Sequence, residues 1–204
     1  MEREQALKDV AVIKSVFEKT NIYFSNQAPY FILWGSLILA ASLVQQLFFL
    51  AEPAPWAYPL LWIIFVLIGA AGSIIIGKAD KVTLPQATNY YSWIFGLLWG
   101  SGSLAMAIIV CLSLVLSIYE AKFIMVFIII ITGLVLVATG LFLHRPALYL
   151  GVLCFPVSIV MVYFPDWQPS IFGLVTGGGF LVIAMLSLKK NRGKRDGRTA
   201  GHRI

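Results

Sequence analysis

The sequence predicts an all-α membrane protein in which a bundle of six transmembrane helices follows an amphipathic cytoplasmic helix. The chain has 204 residues, of which 60% are hydrophobic and 12% are charged, whereas about 25% of a typical soluble domain is charged. Residues 123–143 contain no charged side chain, and about 20 apolar residues in a helix cross a hydrocarbon core of about 30 Å. A water-soluble protein of this size has no interior large enough to cover several helices that are apolar on every side.

Residues 1–28 form a charged segment that is expected to contain the amphipathic helix. Leu7, Val10, Ile13 and Phe17 recur at helical spacing and give the segment one apolar face. Its charges are too many for a membrane span, so we expect it to lie in the membrane interface, to pack beneath the bundle or to bind a partner. We expect no cleavable signal peptide, because no short apolar core precedes a small-residue cleavage site.

Residues 29–188 are expected to form the transmembrane domain, in which short polar or proline-containing loops separate six apolar segments. The predicted spans are residues 30–50, 58–77, 91–117, 123–143, 147–164 and 169–188. The third region is longer than a bilayer requires, so it is expected to tilt or to project past one surface. Pro156 lies inside the fifth span and should kink it. Residues 189–204 form a basic cytoplasmic tail that is expected to be disordered.

The basic residues predict which end of each span faces the cytoplasm. Of the 15 lysine and arginine residues, all but Lys122 lie on the side that holds both termini, and an excess of basic residues marks cytoplasmic loops. We therefore expect a multi-pass protein of the cell membrane with both termini in the cytoplasm. The short outer loops contain no glycosylation acceptor, which favours a bacterial source.

The predicted spans contain no Asp, Glu, Lys, Arg or His at depth. Such residues usually mark ion pathways, proton relays or substrate sites. Cys111 has no evident basic partner to activate it as a nucleophile, and His144 and His202 are too few and too near the surface for a metal site. The sequence therefore predicts no catalytic residue, no metal and no cofactor, and we do not expect an enzyme.

Glycines with GxxxG spacing occur in the third and sixth spans. They are Gly96 and Gly100 in the third span, and Gly173 and Gly177 in the sixth span, where Gly178 follows directly. Small residues let helix backbones approach closely in lipid, so packing within the bundle is the first interpretation. The alternatives are contacts between copies of the chain, and an unwound segment at residues 177–179 whose free carbonyl groups bind a ligand.

Polar side chains within the spans are expected to form hydrogen bonds inside the bundle. One of the two glutamines Gln45 and Gln46 is expected to bond to another helix, with substrate contact as the alternative. The hydroxyl groups are expected to bond to carbonyl groups of their own helix; they belong to Ser101, Ser103, Thr132, Thr139, Ser158 and Thr176.

Two basic elements are predicted at the cytoplasmic face. His144 and Arg145 lie in a short turn that either orients the chain or docks a soluble partner or a lipid phosphate. The first basic residues of the tail are Lys189, Lys190 and Arg192. Basic clusters beside a span attract anionic lipid. No aromatic residue interleaves with the charges of the tail, so we expect no nucleic-acid partner.

The first 40 residues resemble a group of uncharacterised bacterial multi-pass membrane proteins. The residues that carry this resemblance are Leu7-Lys8-Asp9, Ile13-Lys14, and Ala28-Pro29-Tyr30 leading into Trp34-Gly35. The resemblance implies a short charged helix before a bundle of spans with very short loops. It implies no activity and no site residues.

These observations predict a non-enzymatic structural or regulatory component that acts through partners. Its expected partners are the lipid bilayer, anionic lipid at the cytoplasmic face and a protein bound at that face. The alternative is a transporter or permease subunit for an apolar or neutral solute, with residues 177–179 and Pro156 as flexible points. A third class, an enzyme acting on lipid, would depend on Cys111, His144 or Arg145.

Overall fold

The computed structural model describes residue 5 and residues 27–51, 54, 56–83, 89–116, 118, 120–142 and 145–200. Within these residues every regular element is a helix, and six stretches are long and apolar enough to cross a membrane. The predicted all-helical fold with six spans of membrane length is confirmed. The expected amphipathic helix near the start of the chain and the predicted docking residue His144 lie outside the described residues.

From Ala28 onwards, five single helices in the described part of the chain precede a sixth, composite helix. The single helices are α1 (Ala28–Ala51), α2 (Ala57–Thr83), α3 (Asn89–Leu114), α4 (Ile124–Phe142) and α5 (Arg145–Tyr163). The composite helix consists of α6 (Gln168–Phe172), a π-helical segment (Gly173–Gly178) and α7 (Gly179–Ala200). Its backbone stays helical at both junctions. Short 3₁₀ turns at Ala121–Phe123 and Pro165–Trp167 precede α4 and α6.

Two helices continue past the ends that the sequence predicts. The prediction ends the second span at Gly77, but α2 continues to Thr83. The prediction of a disordered tail is wrong for most of its length, because α7 continues to Ala200. Lysine and arginine have good helix propensity, and adding residues to an existing helix avoids the cost of nucleation. A polar composition therefore does not end a helix that has already formed in the span.

Helices α4 and α5 form the most closely packed pair in the described bundle. A Cβ atom built on Gly133 would lie 3.0 Å from the carbonyl oxygen of Gly151, and one built on Gly151 would lie 2.8 Å from that of Gly133. A Cβ atom built on Gly140 would lie closer still to the backbone nitrogen of Leu148. Small residues thus bring the two backbones together, as expected where lipid provides no hydrophobic drive between helices.

Helices α2 and α3 lie at the periphery of the bundle. In the spans Ala57–Ala79 and Trp93–Leu114, 11% and 6% of the residues are buried, against 50% in Ile124–Leu141. Helix α2 packs on α1, and α3 packs on α4. Both helices expose many large apolar side chains, which suits contact with lipid acyl chains.

Helix α1 lies between α2 and the composite helix and contacts both. In the contacts between these two helices, α1 contributes aromatic rings and α2 contributes small residues. The ring of Trp34 lies over Gly69, and its indole N–H donates to Ser73 at 3.1 Å. The two residues of α2 that Trp34 contacts, Gly69 and Ser73, are both small and lie four positions apart.

Candidate functional site

The composite helix runs antiparallel to α1, and the contact between them begins with polar groups. The Ser170 hydroxyl donates to the Gln46 side-chain oxygen at 2.8 Å, and the Gln46 amide donates to the carbonyl oxygen of Asp166 at 3.1 Å. On the other side of α1, the Trp62 indole donates to Gln45 at 2.6 Å. Both glutamines therefore bond to another part of the bundle, which confirms the expectation of interhelical hydrogen bonds.

Small residues occupy the middle of this contact. A Cβ atom built on Gly177 would lie 2.9 Å from the carbonyl oxygen of Gly35 and 2.9 Å from the backbone nitrogen of Leu39. One built on Gly173 would lie 2.5 Å from Cβ and 2.8 Å from Oγ of Ser42. The backbones of α1 and the π-helical segment therefore touch directly.

Aromatic rings form the end of the contact nearest the start of α1. The rings of Phe31 and Phe180 meet edge to face with centroids 5.5 Å apart, and Trp99 of α3 meets Phe180 in the same way at 5.6 Å. Phe172, which directly precedes the π-helical segment, packs on Trp62 of α2 with ring centroids 6.0 Å apart. The composite helix thus touches α1, α2 and α3 through its phenylalanines.

The sequence alternative of an unwound segment at residues 177–179 does not match the structure. Gly177 and Gly178 complete the π-helical segment, and Gly179 begins α7 with helical angles. Glycine has low α-helix propensity, and single π-helical turns occur where an α-helix accommodates an irregularity, frequently at functional sites. Gly177 is both helical and in close contact with α1.

The π-helical segment also holds a hydroxyl group without a hydrogen bond. Four of the predicted bonds to the same helix are confirmed; the donors are Ser101, Ser103, Thr132 and Ser158. For Thr139 and Thr176 the prediction is wrong, because their buried hydroxyl groups have no partner among the described residues. Thr176 lies in the π-helical segment, whose carbonyl groups pair one residue further along than in an α-helix, and Thr139 lies in a regular α-helix. Nothing in the structure explains Thr139.

Two further buried polar atoms near the composite helix lack a partner within the described part of the chain. One is Oγ of Ser42, which lies against Gly173, and the other is the indole nitrogen of Trp99, which packs on Phe180. An unpaired buried polar group costs about 1–3 kcal/mol of folding free energy. The composite helix at Thr176, with Ser42 and Trp99 packed along it, is the candidate functional site of this bundle.

The other glycines and the proline named from the sequence have different surroundings. Gly96, Gly100 and Gly178 have no described atom within 4 Å of a Cβ position, so they make no close helix contact within the described chain. Pro156 lies inside α5 and is exposed. The structure therefore brings Gly173 and Gly177 into the candidate site and leaves these four residues outside it.

The basic residues named from the sequence lie away from the candidate site. Arg145 begins α5 and is exposed, and Lys189 is exposed near the end of the last span. Lys190 and Arg192 follow in α7. In the six described spans, the charged residues occur at the span ends; they are Lys78, Arg145, Asp166 and Lys189. Among the described residues, no three His, Cys, Asp or Glu side chains are grouped to bind a metal.

The chain was compared with protein-family models, with curated proteins and with solved structures, and no match was found. Function is therefore inferred from the residues of this chain alone.

Proposed function

We propose that the protein is a non-enzymatic structural or regulatory component of the bacterial cell membrane that acts through a partner protein. The observation that carries this proposal is the surface of α3 formed by Gly96 and Gly100. Neither glycine has another described atom within 4 Å of a Cβ position, although Gly102 in the same helix lies against Val135 of α4. Helix α3 therefore packs on one side only and presents GxxxG spacing on another.

The chemistry of this surface suits a transmembrane helix from another chain. Lipid acyl chains gain nothing from a glycine pair, whereas a second helix can bring its backbone close to one. The span Trp93–Leu114 is the least buried of the six described spans, so the surface is accessible within the membrane. We infer that the partner contributes a helix that packs at Gly96 and Gly100.

The basic end of the chain supports a second contact, at the cytoplasmic face. Helix α7 continues from the last span to Ala200, so Lys189, Lys190 and Arg192 belong to a continuous helix. At about 1.5 Å per residue, the part of α7 after the span is long enough to project well beyond the lipid headgroups. Basic residues in that position attract anionic lipid. The excess of basic residues on this side also favours a cytoplasmic location for both termini.

Purification of the tagged chain from its native host in mild detergent tests this proposal. We expect one membrane protein to co-purify in a fixed ratio to the chain, as identified by mass spectrometry. Purification of the chain alone, in detergent that preserves its helical circular-dichroism spectrum, would contradict the proposal.

The second candidate function is a transporter or permease subunit for an apolar or neutral solute. The π-helical segment favours it, since single π-helical turns are frequent at functional sites. Gly178→Leu tests this candidate, because a Cβ atom built on Gly178 meets no described atom within 4 Å and the substitution should not disturb insertion. Loss of solute uptake into liposomes by an inserted Gly178→Leu variant would support transport, and unchanged uptake would count against it.

A further inference from the structure

We draw no further inference here: the strongest candidate, the row of buried, unpaired polar groups of Ser42, Thr176 and Trp99 along the composite helix, belongs to the candidate site already described, and no contact within the described part of the chain brings these groups together around a ligand.

Discussion

Gly35 and Gly177 bring the backbones of α1 and the composite helix into direct contact. A Cβ atom on Gly35 would lie 2.8 Å from the carbonyl oxygen of Gly177, and one on Gly177 would lie 2.9 Å from the carbonyl oxygen of Gly35. Neither position therefore has room for a side chain. The contact joins α1 to the composite helix. The polar contact of Gln46 and the aromatic contact of Phe31 lie on either side of it along α1.

The first prediction concerns this contact. We expect Gly35→Ala or Gly177→Ala to lower the free energy of unfolding by about 1–3 kcal/mol, the usual cost of overpacking, because the new methyl group meets backbone atoms of the facing helix in addition to side chains. The measurement is the thermal loss of helical circular dichroism in detergent. Gly178→Ala is the control, since it meets no described atom within 4 Å. Equal effects of all three substitutions would contradict the contact.

The second prediction concerns the polar contact of Gln46 with Ser170. Gln46→Leu and Ser170→Ala each remove one partner of the 2.8 Å hydrogen bond. We expect a double-mutant cycle to give a coupling energy of about 0.6 kcal/mol, a typical value between membrane helices. Strictly additive effects on the free energy of unfolding would show that the two side chains do not interact in the folded protein.

The third prediction concerns the unpaired hydroxyl of Thr176. Replacing an unpaired buried hydroxyl with a methyl group removes a desolvation penalty, so we expect Thr176→Val to raise the free energy of unfolding by about 1 kcal/mol. Thr132→Val removes a hydroxyl that is bonded to its own helix, and it should give no such increase. A lower thermal midpoint for Thr176→Val than for Thr132→Val would contradict the assignment of Thr176 as unpaired.

The fourth prediction concerns topology. The one basic residue predicted on the outer side, Lys122, forms an ion pair with Glu120 at 2.6 Å. We expect reporter fusions to show an outer location after residues 55, 120 and 166, and a cytoplasmic location after residues 85, 145 and 204. A cytoplasmic signal at residue 120 would contradict the predicted orientation.

The spans could be predicted from the sequence because hydropathy and length report membrane crossing directly. The role of each glycine pair could not be predicted from the sequence. Gly96 and Gly100 have the same spacing as Gly173 and Gly177, yet the first pair is open and the second lies against α1. Spacing places residues on one face of a helix, but only the arrangement of neighbouring helices decides what that face meets.

The candidate site could be predicted only in part for a related reason. Glycines in the sixth span indicated an irregular helix, and the structure has one at Gly173–Gly178. The unpaired hydroxyl of Thr176 could not be predicted from the sequence, because the hydrogen bonding of a buried side chain depends on the packing around it. Trp99 likewise became a candidate only when its indole was found buried without a partner near Phe180.

The fifth prediction tests the central claim, that the protein acts through a partner helix at the open surface of α3. The measurement compares the proteins that co-purify in mild detergent with the unaltered chain, with a Gly96→Leu/Gly100→Leu double variant and with Ala70→Leu. The last adds a similar side chain to an exposed position of α2. We expect the co-purifying protein to be lost from the double variant and retained by Ala70→Leu, with both variants still inserted and helical. Retention of the same protein, in the same ratio, by the double variant would contradict the account.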